Sequence, residues 1–316
     1  MLKVSVIVPV KNEASSIAVL LDALLSQSRL PDEIVITDGG STDNTVQIIN
    51  SYAKKNDFIR LICLPHAFAG KGRNTSIAHS KNNIIASIDA GCVPAQNWLE
   101  ELIEPFEKDS STDIVYGMYR PMPKTLLEKC FVLTTEPIGF TISVVSMAHK
   151  KEVWEKVEGY PENLRTVQDT VFLSKIKREK FKVQYKSSAI VYWQPRSTIL
   201  GFFKQFYWQS KTNGYLGLRK MFYIRKIAFV SLVLVFLIAG TLKNHMFLLI
   251  VALLYIAWIF IAVVTHYDWF KQVWNKPKAY LIIPATVIAR DMSQICGFFS
   301  GVAKRIKERL IGHSLP

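Results

Sequence analysis

The stretch N-I-I-A-S-I-D-A-G-C-V-P-A-Q-N-W, Asn83 to Trp98, decides the fold. Ile84, Ile85 and Ile88 make a short apolar, β-branched run that carries one carboxylate, Asp89, into the small-residue turn Ala90-Gly91-Cys92. Such a run reads as a buried strand. An Asp ejected at its carboxyl end is how an open α/β sheet presents a ligand-binding group. Pro94 is expected to start a helix whose first turns are acidic, with Glu100, Glu101 and Glu104. A carboxylate so placed suits a nucleotide diphosphate met through a divalent metal, and it equally suits a cap of the turn. This stretch leaves both open.

Working outward, Lys3 to Val10 (K-V-S-V-I-V-P-V) reads as a buried parallel strand ending at Pro9. Asn12 is expected to cap the next helix, on which Ile17, Leu20, Leu21, Leu24 and Leu25 share one face. Pro31-Asp32 breaks it, and Glu33 to Thr37 is a second strand. The turn Asp38 to Thr45 leads to a helix over 45–55, followed by a strand over 59–64. Gly70-Lys71-Gly72-Arg73-Asn74 then precedes a helix over about 74–80. This alternation predicts a doubly wound parallel sheet. The loops 9–13, 38–45 and 89–92 should lie together on its carboxyl edge. No G-x-G-x-x-G follows the first strand and no G-x-x-x-x-G-K-[ST] occurs, which argues against dinucleotide and phosphate-loop enzymes.

The chain has 316 residues and a formal charge of +14, unevenly spread. Residues 1–215 hold 26 Lys/Arg and 22 Asp/Glu, a net of +4, whereas 216–316 hold 13 against 3, a net of +10. The second set of positives flanks long apolar runs, which points to a membrane surface and not to nucleic acid. Cys63, Cys92, Cys130 and Cys296 show neither metal-ligand spacing nor a disulfide pattern, as expected of reduced thiols facing a cytosol. The chain opens directly on a strand-like segment, so no cleaved leader is expected.

Several segments, in order, carry a family resemblance. V-S-V-I-V-P-V-K-N-E, D-E-I-V-I-T-D-G-G-S-T-D-N-T, G-R-N, D-A-G-C-V-P-A-Q-N-W-L, V-E-G-Y-P-E-N-L-R-T-V-Q-D-T and Y-W-Q-P-R-S-T resemble family 2 glycosyltransferases. The resemblance covers roughly residues 1–215. It implies a GT-A fold, Rossmann-like with a mostly parallel sheet, and a nucleotide-diphosphate sugar held along the sheet edge. It implies that Pro9 and Glu13 line the nucleoside and that Asp38 accepts from the base; an Asx-turn is the competing role for Asp38. Arg73 and Lys71 become candidates for the pyrophosphate, since charge-assisted donors stabilise bound and leaving phosphate alike.

Asp89 matches the first residue of the family's D-x-D metal motif, but Gly91 stands where the second Asp belongs. Mg²⁺ or Mn²⁺ needs hard oxygen ligands, several of which phosphate and water can supply. One carboxylate then holds the cofactor weakly, and a metal-independent variant relying on Arg73 and Lys71 is the alternative. Asp169, in Gln168-Asp169 where the family has Glu-Asp, matches the catalytic base that would deprotonate a hydroxyl acceptor. The segments Thr134-Thr135-Glu136 and Thr141 to Ala148 are expected to help build the acceptor half. After Pro195-Arg196-Ser197-Thr198, Gln205 matches the family's glutamine, and the aromatic helix around it, with Trp208, can face the acceptor or lie on a bilayer.

Residues 216–316 read as a membrane domain. Spans are expected over about 225–242 and 246–265, joined by Lys243-Asn244-His245, with flanking positives placing both ends in the cytoplasm. Residues 279–303 are also apolar, but Arg290 and Asp291 sit mid-segment, so an interfacial or re-entrant amphipathic helix is expected there. Together these features predict a multi-pass plasma-membrane protein with a cytoplasmic catalytic domain. The predicted activity is an inverting, hexosyltransferase-like transfer to a lipid-linked or membrane-embedded hydroxyl, in cell-envelope polysaccharide or glycolipid assembly. Transfer to a polyprenyl phosphate, and a non-catalytic nucleotide-sugar-binding protein, are the alternatives.

Overall fold

The structure, a computed structural model, describes residues 2–135, 143–242 and 246–311, with the side chains of Tyr255, Trp258, Ile259, Ala262, Val263 and Thr265 excepted. Glu136, Thr141 and the connection Lys243 to His245 therefore lie outside the described residues. Two compact units divide the chain, one of Met1–Met122 with Ile138–Gln194, the other of Pro123–Pro137 with Pro195–Pro316.

In chain order the elements begin β1 (Val4–Val10), α1 (Ile17–Leu25), β2 (Glu33–Asp38), α2 (Thr45–Ala53), β3 (Ile59–Cys63) and α3 (Ala69–His79). They continue with β4 (Ile84–Ser87), β5 (Cys92–Pro94), α4 (Trp98–Lys108), β6 (Ile114–Pro121) and α5 (Leu126–Thr134). Then come β7 (Met147–Lys150), α6 (Lys151–Lys156), α7 (Gln168–Ile176) and β8 (Val183–Trp193). Five helices close the chain: α8 (Ile199–Leu216), α9 (Lys220–Leu242), α10 (Met246–Thr265), α11 (Tyr267–Phe270) and α12 (Ala279–Leu310).

In the first unit all eight strands form one sheet, in the order β3-β2-β1-β4-β7-β6-β8-β5. The β3-β2-β1-β4 half is parallel, as the alternation predicts. Its strands are continuous Val/Ile runs because helices cover both faces; β1 and β2 are buried at every position. Each Ile or Val so buried contributes about 1.5–3 kcal/mol. Beyond β4 the sheet is mixed: β7 runs antiparallel to β4 and β6, and β8 lies parallel to β6. Only the first half is thus doubly wound. Strand order reverses between β1 and β4, so the loops leaving those neighbours meet at a crevice.

Three local expectations need correction. Asn12 does not cap α1: it adopts φ +55°, and its Oδ1 accepts from the Thr42 N–H at 2.8 Å. Gly70 to Asn74 is not a preceding loop but lies inside α3, where the glycines admit close neighbours: a Cβ on Gly70 would strike the Pro161 carbonyl. Pro94 ends β5, and α4 begins at Trp98.

The second unit is helical. A capping box of Thr125 and Glu128 starts α5, and the Thr198 hydroxyl accepts from Gly201 N at 3.0 Å to start α8. α8 and α12 meet along small residues: a Cβ on Gly214, Gly297 or Gly301 would collide with a carbonyl oxygen of the facing helix. α12 is a single 32-residue helix of about 48 Å, with none of the chain reversal a re-entrant segment requires. Its buried side is mixed, with Ile283, Val287 and Phe298 among polar groups, and its outer side carries large apolar residues together with Lys304, Lys307 and Arg309. Thr286, Asp291, Ser293 and Gln294 are buried, whereas Leu281, Ile288, Met292, Phe299, Ile306 and Leu310 are exposed. α9 and α12 are both long and apolar enough to cross a membrane.

Candidate functional site

The crevice between β1 and β4 is lined by three loops and the start of α3. Asn12 in the left-handed region turns the first loop toward the second, where four contacts hold it. The N–H of Asn12 donates to Ser41 Oγ at 2.8 Å, that of Glu13 to Thr45 Oγ1 at 2.9 Å, and that of Ala14 to Asp43 Oδ2 at 3.2 Å; the Asn12 side chain accepts from Thr42. The Thr45 hydroxyl first, against some desolvation, and then the Ala14 and Thr45 amides hold the Asp43 carboxyl below its ordinary range. Glu13 is thereby placed at the rim, with the Ser16 hydroxyl donating to its Oε2.

Asp38 accepts from the N–H groups of Gly40 and Ser41 at 2.9 and 3.0 Å and from the Ser41 hydroxyl. Its carboxylate thus makes the Asx-turn, and Gly40, at φ +87°, supplies the left-handed residue the turn needs. Pro9 is buried beside Gly72, forming the floor of the crevice. Lys71 is exposed and lies about 200° around α3 from Arg73, so the two do not converge.

Arg73 is the centre of the site. It is 2% exposed, and its Nη2 donates to Asp89 Oδ1 at 2.5 Å. Its Nε and Nη1 are buried without a partner among the described residues. The Tyr160 ring lies 5.5 Å from the guanidinium carbon. Burial works against the Arg73 charge, but Asp89, then Tyr160 and Asp169, more than offset it and hold the pKa above its usual value. The Tyr160 hydroxyl is likewise buried without a partner among the described residues. A buried donor with no acceptor costs about 1–3 kcal/mol, so the free donors of Arg73 and Tyr160 fit an oxygen-rich anion.

Asp89 leaves β4 at the same edge and keeps 38% of its side chain exposed, so its second oxygen remains accessible. Gly91 is bare: the atoms nearest a Cβ placed there are Glu13 Oε2 and Oε1, at 3.7 and 3.8 Å. Among the described residues no three His, Cys, Asp or Glu side chains gather as a metal-binding group. Carboxylate oxygens of Asp89 and its neighbourhood still suit Mg²⁺ or Mn²⁺, which retains water and phosphate ligands. Cys92 is buried, and desolvation, followed by Asp89 and Glu13, pushes its thiol well up; a neutral thiol is no ligand for such an ion.

Asp169 occupies the first turn of α7, where its Oδ1 accepts from Thr170 N at 2.8 Å. The preceding Val167 adopts φ +69°, a strained conformation for a β-branched residue. The structure therefore gathers Glu13, Arg73, Asp89 and Gly91 around one crevice, with Asp169 close enough to bias Arg73 electrostatically. Tyr160 stands in the sequence only within the segment V-E-G-Y-P-E-N-L-R-T-V-Q-D-T, with nothing local to mark its ring as a neighbour of Arg73. Gln205 and Trp208 belong to α8 of the second unit. There Gln205 Oε1 accepts from Arg196 Nε at 3.2 Å, and the Lys211 ammonium lies 4.9 Å from the Trp208 ring.

The chain is similar to known proteins. Residues 5–129 match the family model "Glycosyl transferase family 2". The chain is 25% identical over 240 residues to "Probable glycosyltransferase YdaM" of Bacillus subtilis, covering 69% of this chain and 56% of that protein. It is 30% identical over 173 residues to "Glycosyltransferase AglE" of Haloferax volcanii, covering 51% and 57%. The chain thus spans somewhat over half the length of these curated relatives. Among solved structures, the mannosyltransferase PcManGT of Pyrobaculum calidifontis, in complex with GDP-Man and Mn²⁺, superposes with a TM-score of 0.54. That match has 19% identity and covers 93% of this chain and 87% of that one. The parallel half-sheet, its mixed extension and the crevice at the order reversal are those of a GT-A fold, within which residues 5–129 are the part that matches glycosyl transferase family 2.

Proposed function

We propose that the protein is an inverting glycosyltransferase that moves a sugar from a nucleotide diphosphate to a hydroxyl group on a lipid-linked or membrane-embedded acceptor. The observation that carries this reading is Arg73, a permanently charged, buried side chain with two unpaired N–H donors, anchored to Asp89 at the crevice. A donor diphosphate would satisfy both. In the reaction the acceptor oxygen attacks the anomeric carbon and the bond from that carbon to the diphosphate oxygen breaks. The diphosphate leaves with the electron pair. Asp169 takes the hydroxyl proton, and Arg73 stabilises the charge that develops on the departing phosphate. A divalent cation held at Asp89 would add positive charge beside the same phosphates. The donor complexes of relatives such as PcManGT with GDP-Man support a nucleotide-sugar donor.

Membrane attachment is part of the proposal. α9 exposes Leu232, Leu234, Val235, Leu237 and Ile238, and α10 carries no charged residue. α12 buries Thr286, Asp291, Ser293 and Gln294 while exposing Leu281, Ile288, Met292 and Phe299, as lipid contact along that stretch favours. Positives before α9 and after α10 favour a cytoplasmic first unit.

The test is a panel of nucleotide sugars against membranes containing the protein, read by lipid product mass. Asp169→Asn should lower turnover about 10²–10⁴-fold if the acceptor is a hydroxyl. Retained turnover would instead identify an acceptor that is already anionic, such as a lipid phosphate. No transfer from any donor would leave a binding protein.

A further inference from the structure

We propose that Glu13, from the loop after β1, supplies the second carboxylate of the divalent-cation site, in the space left by Gly91. This rests on the donor-site reading above and concerns which residues of this chain meet the cation. The neighbouring strands β1 and β4 run parallel, with Ile7 opposite Ser87, and the strand order reverses between them. The loop carrying Glu13 and the turn Ala90-Gly91-Cys92 therefore leave the sheet side by side. A side chain on residue 91 would grow toward the Glu13 carboxylate, whose two oxygens are, among the described residues and apart from the adjoining backbone, the only atoms within 4 Å of that Cβ position. An Asp at 91 and the Glu13 carboxylate would thus compete for one place. Gly91 removes the competition and not the charge.

Glu13 is held for such a role. Its N–H is tied to Thr45, Asn12 before it is turned into the left-handed region, and the Ser16 hydroxyl orients Oε2. Oε1 has no hydrogen-bond partner among the described residues. The independent sign of a ligand is Arg73, which is 2% exposed, bonded to Asp89 and left with two unpaired donors. Asp89 pairs with the Arg73 guanidinium, and the Glu13 carboxylate lies against Gly91, two residues further along the same turn. A divalent ion bridging the two carboxylates would invert the net charge of the crevice from negative to positive, which then suits a diphosphate reaching Arg73. Two protein oxygens with phosphate and water completing the shell is the usual arrangement for Mg²⁺.

The test is Mn²⁺ binding to the purified full chain in detergent, without donor, read by electron paramagnetic resonance of the free ion. Glu13→Gln and Asp89→Asn should each weaken Mn²⁺ about ten-fold or more. In a Glu13→Ala background, which vacates the space beside Gly91 as Gln does not, adding Gly91→Asp should restore most of the affinity, because the carboxylate returns to the same space from the other loop. Thermal unfolding in chelator should be unchanged by Glu13→Gln; should that variant unfold, Glu13→Asp serves in its place and should weaken Mn²⁺ without abolishing it. Wild-type affinity in either Glu13 variant, or no rescue by Gly91→Asp, overturns the assignment. Absence of Mn²⁺ binding by the wild type overturns it as well, while nucleotide-sugar binding in chelator, read by thermal shift, shows separately whether the donor site stands.

Discussion

Two buried cations, one in each unit, meet a carboxylate in opposite ways. In the first unit Arg73 reaches Asp89 at 2.5 Å, but two of its N–H groups have no acceptor and its partner is 38% exposed. In the second, Lys226 of α9 reaches Asp291 of α12 at 2.7 Å, with both side chains at most 10% exposed. There the Gln294 amide oxygen also accepts from Lys226, and Arg290 shares Asp291 at 2.9 Å while donating to the Thr134 carbonyl. The helical pair is closed and satisfied within the protein, so it specifies how α5, α9 and α12 pack. The crevice pair is open and under-satisfied, which the donor diphosphate of the proposed function would complete. Burial of charge alone does not separate structure from function. Satisfaction of its hydrogen bonds does.

Breaking the closed pair should cost the most stability. Asp291→Ala leaves Lys226 and Arg290 buried without a carboxylate, and the expected loss is about 3–5 kcal/mol. Unfolding of the full chain in detergent measures it, with donor affinity unchanged in the protein that remains folded.

A buried group outside both pairs sets the next largest effect. His149 on β7 is fully buried, its Nδ1 meets the Lys150 carbonyl and its Nε2 is unpaired. Desolvation lowers its pKa to about 4, partly opposed by that carbonyl. The unfolded chain takes up this proton below its ordinary 6.5 while the folded chain resists until about 4. Stability is therefore full above 6.5 and falls as the pH drops through that window, by about 3 kcal/mol in total. Denaturant unfolding at several pH values should show a shallower slope for His149→Gln than for the parent. Equal slopes would mean that the ring is not held neutral.

Opening the other pair should act on binding. Arg73→Met should weaken nucleotide-sugar affinity about 10²-fold, equivalent to about 2.7 kcal/mol, as read by calorimetry. Its effect on unfolding should stay under about 1 kcal/mol, because Asp89 retains access to water and the removed donors were already unpaired. A large loss of stability without loss of donor affinity would make the two pairs equivalent and erase the contrast.

Much of this was legible in the chain. Continuous Val/Ile runs at β1, β2 and β4 announce strands buried on both faces, and Asp89 declares itself by following one of them. The apolar run of α10 and the uneven charge are composition, which needs no fold to be read. Other features were hidden because they depend on closure at a distance. Gly70 and Gly72 look like a loop in sequence, yet lie in α3, where the Pro161 carbonyl leaves no room for a side chain at Gly70 and Pro9 packs against Gly72. The polar residues of α12 look like a solvated face, yet turn inward to meet Lys226 and Thr134.

By itself, then, the sequence determined the strands of the parallel half, most of the helices between them, the loops that carry chemistry and the apolar length of the C-terminal helices, because these follow from local periodicity and burial. Only the tertiary structure decided which carboxylates share the crevice. Position 91 in isolation reads as a lost acid. Across the β1–β4 junction, 78 residues away in the chain, Glu13 stands beside it. That proximity is created by parallel pairing and a reversal of strand order, and no local pattern encodes it.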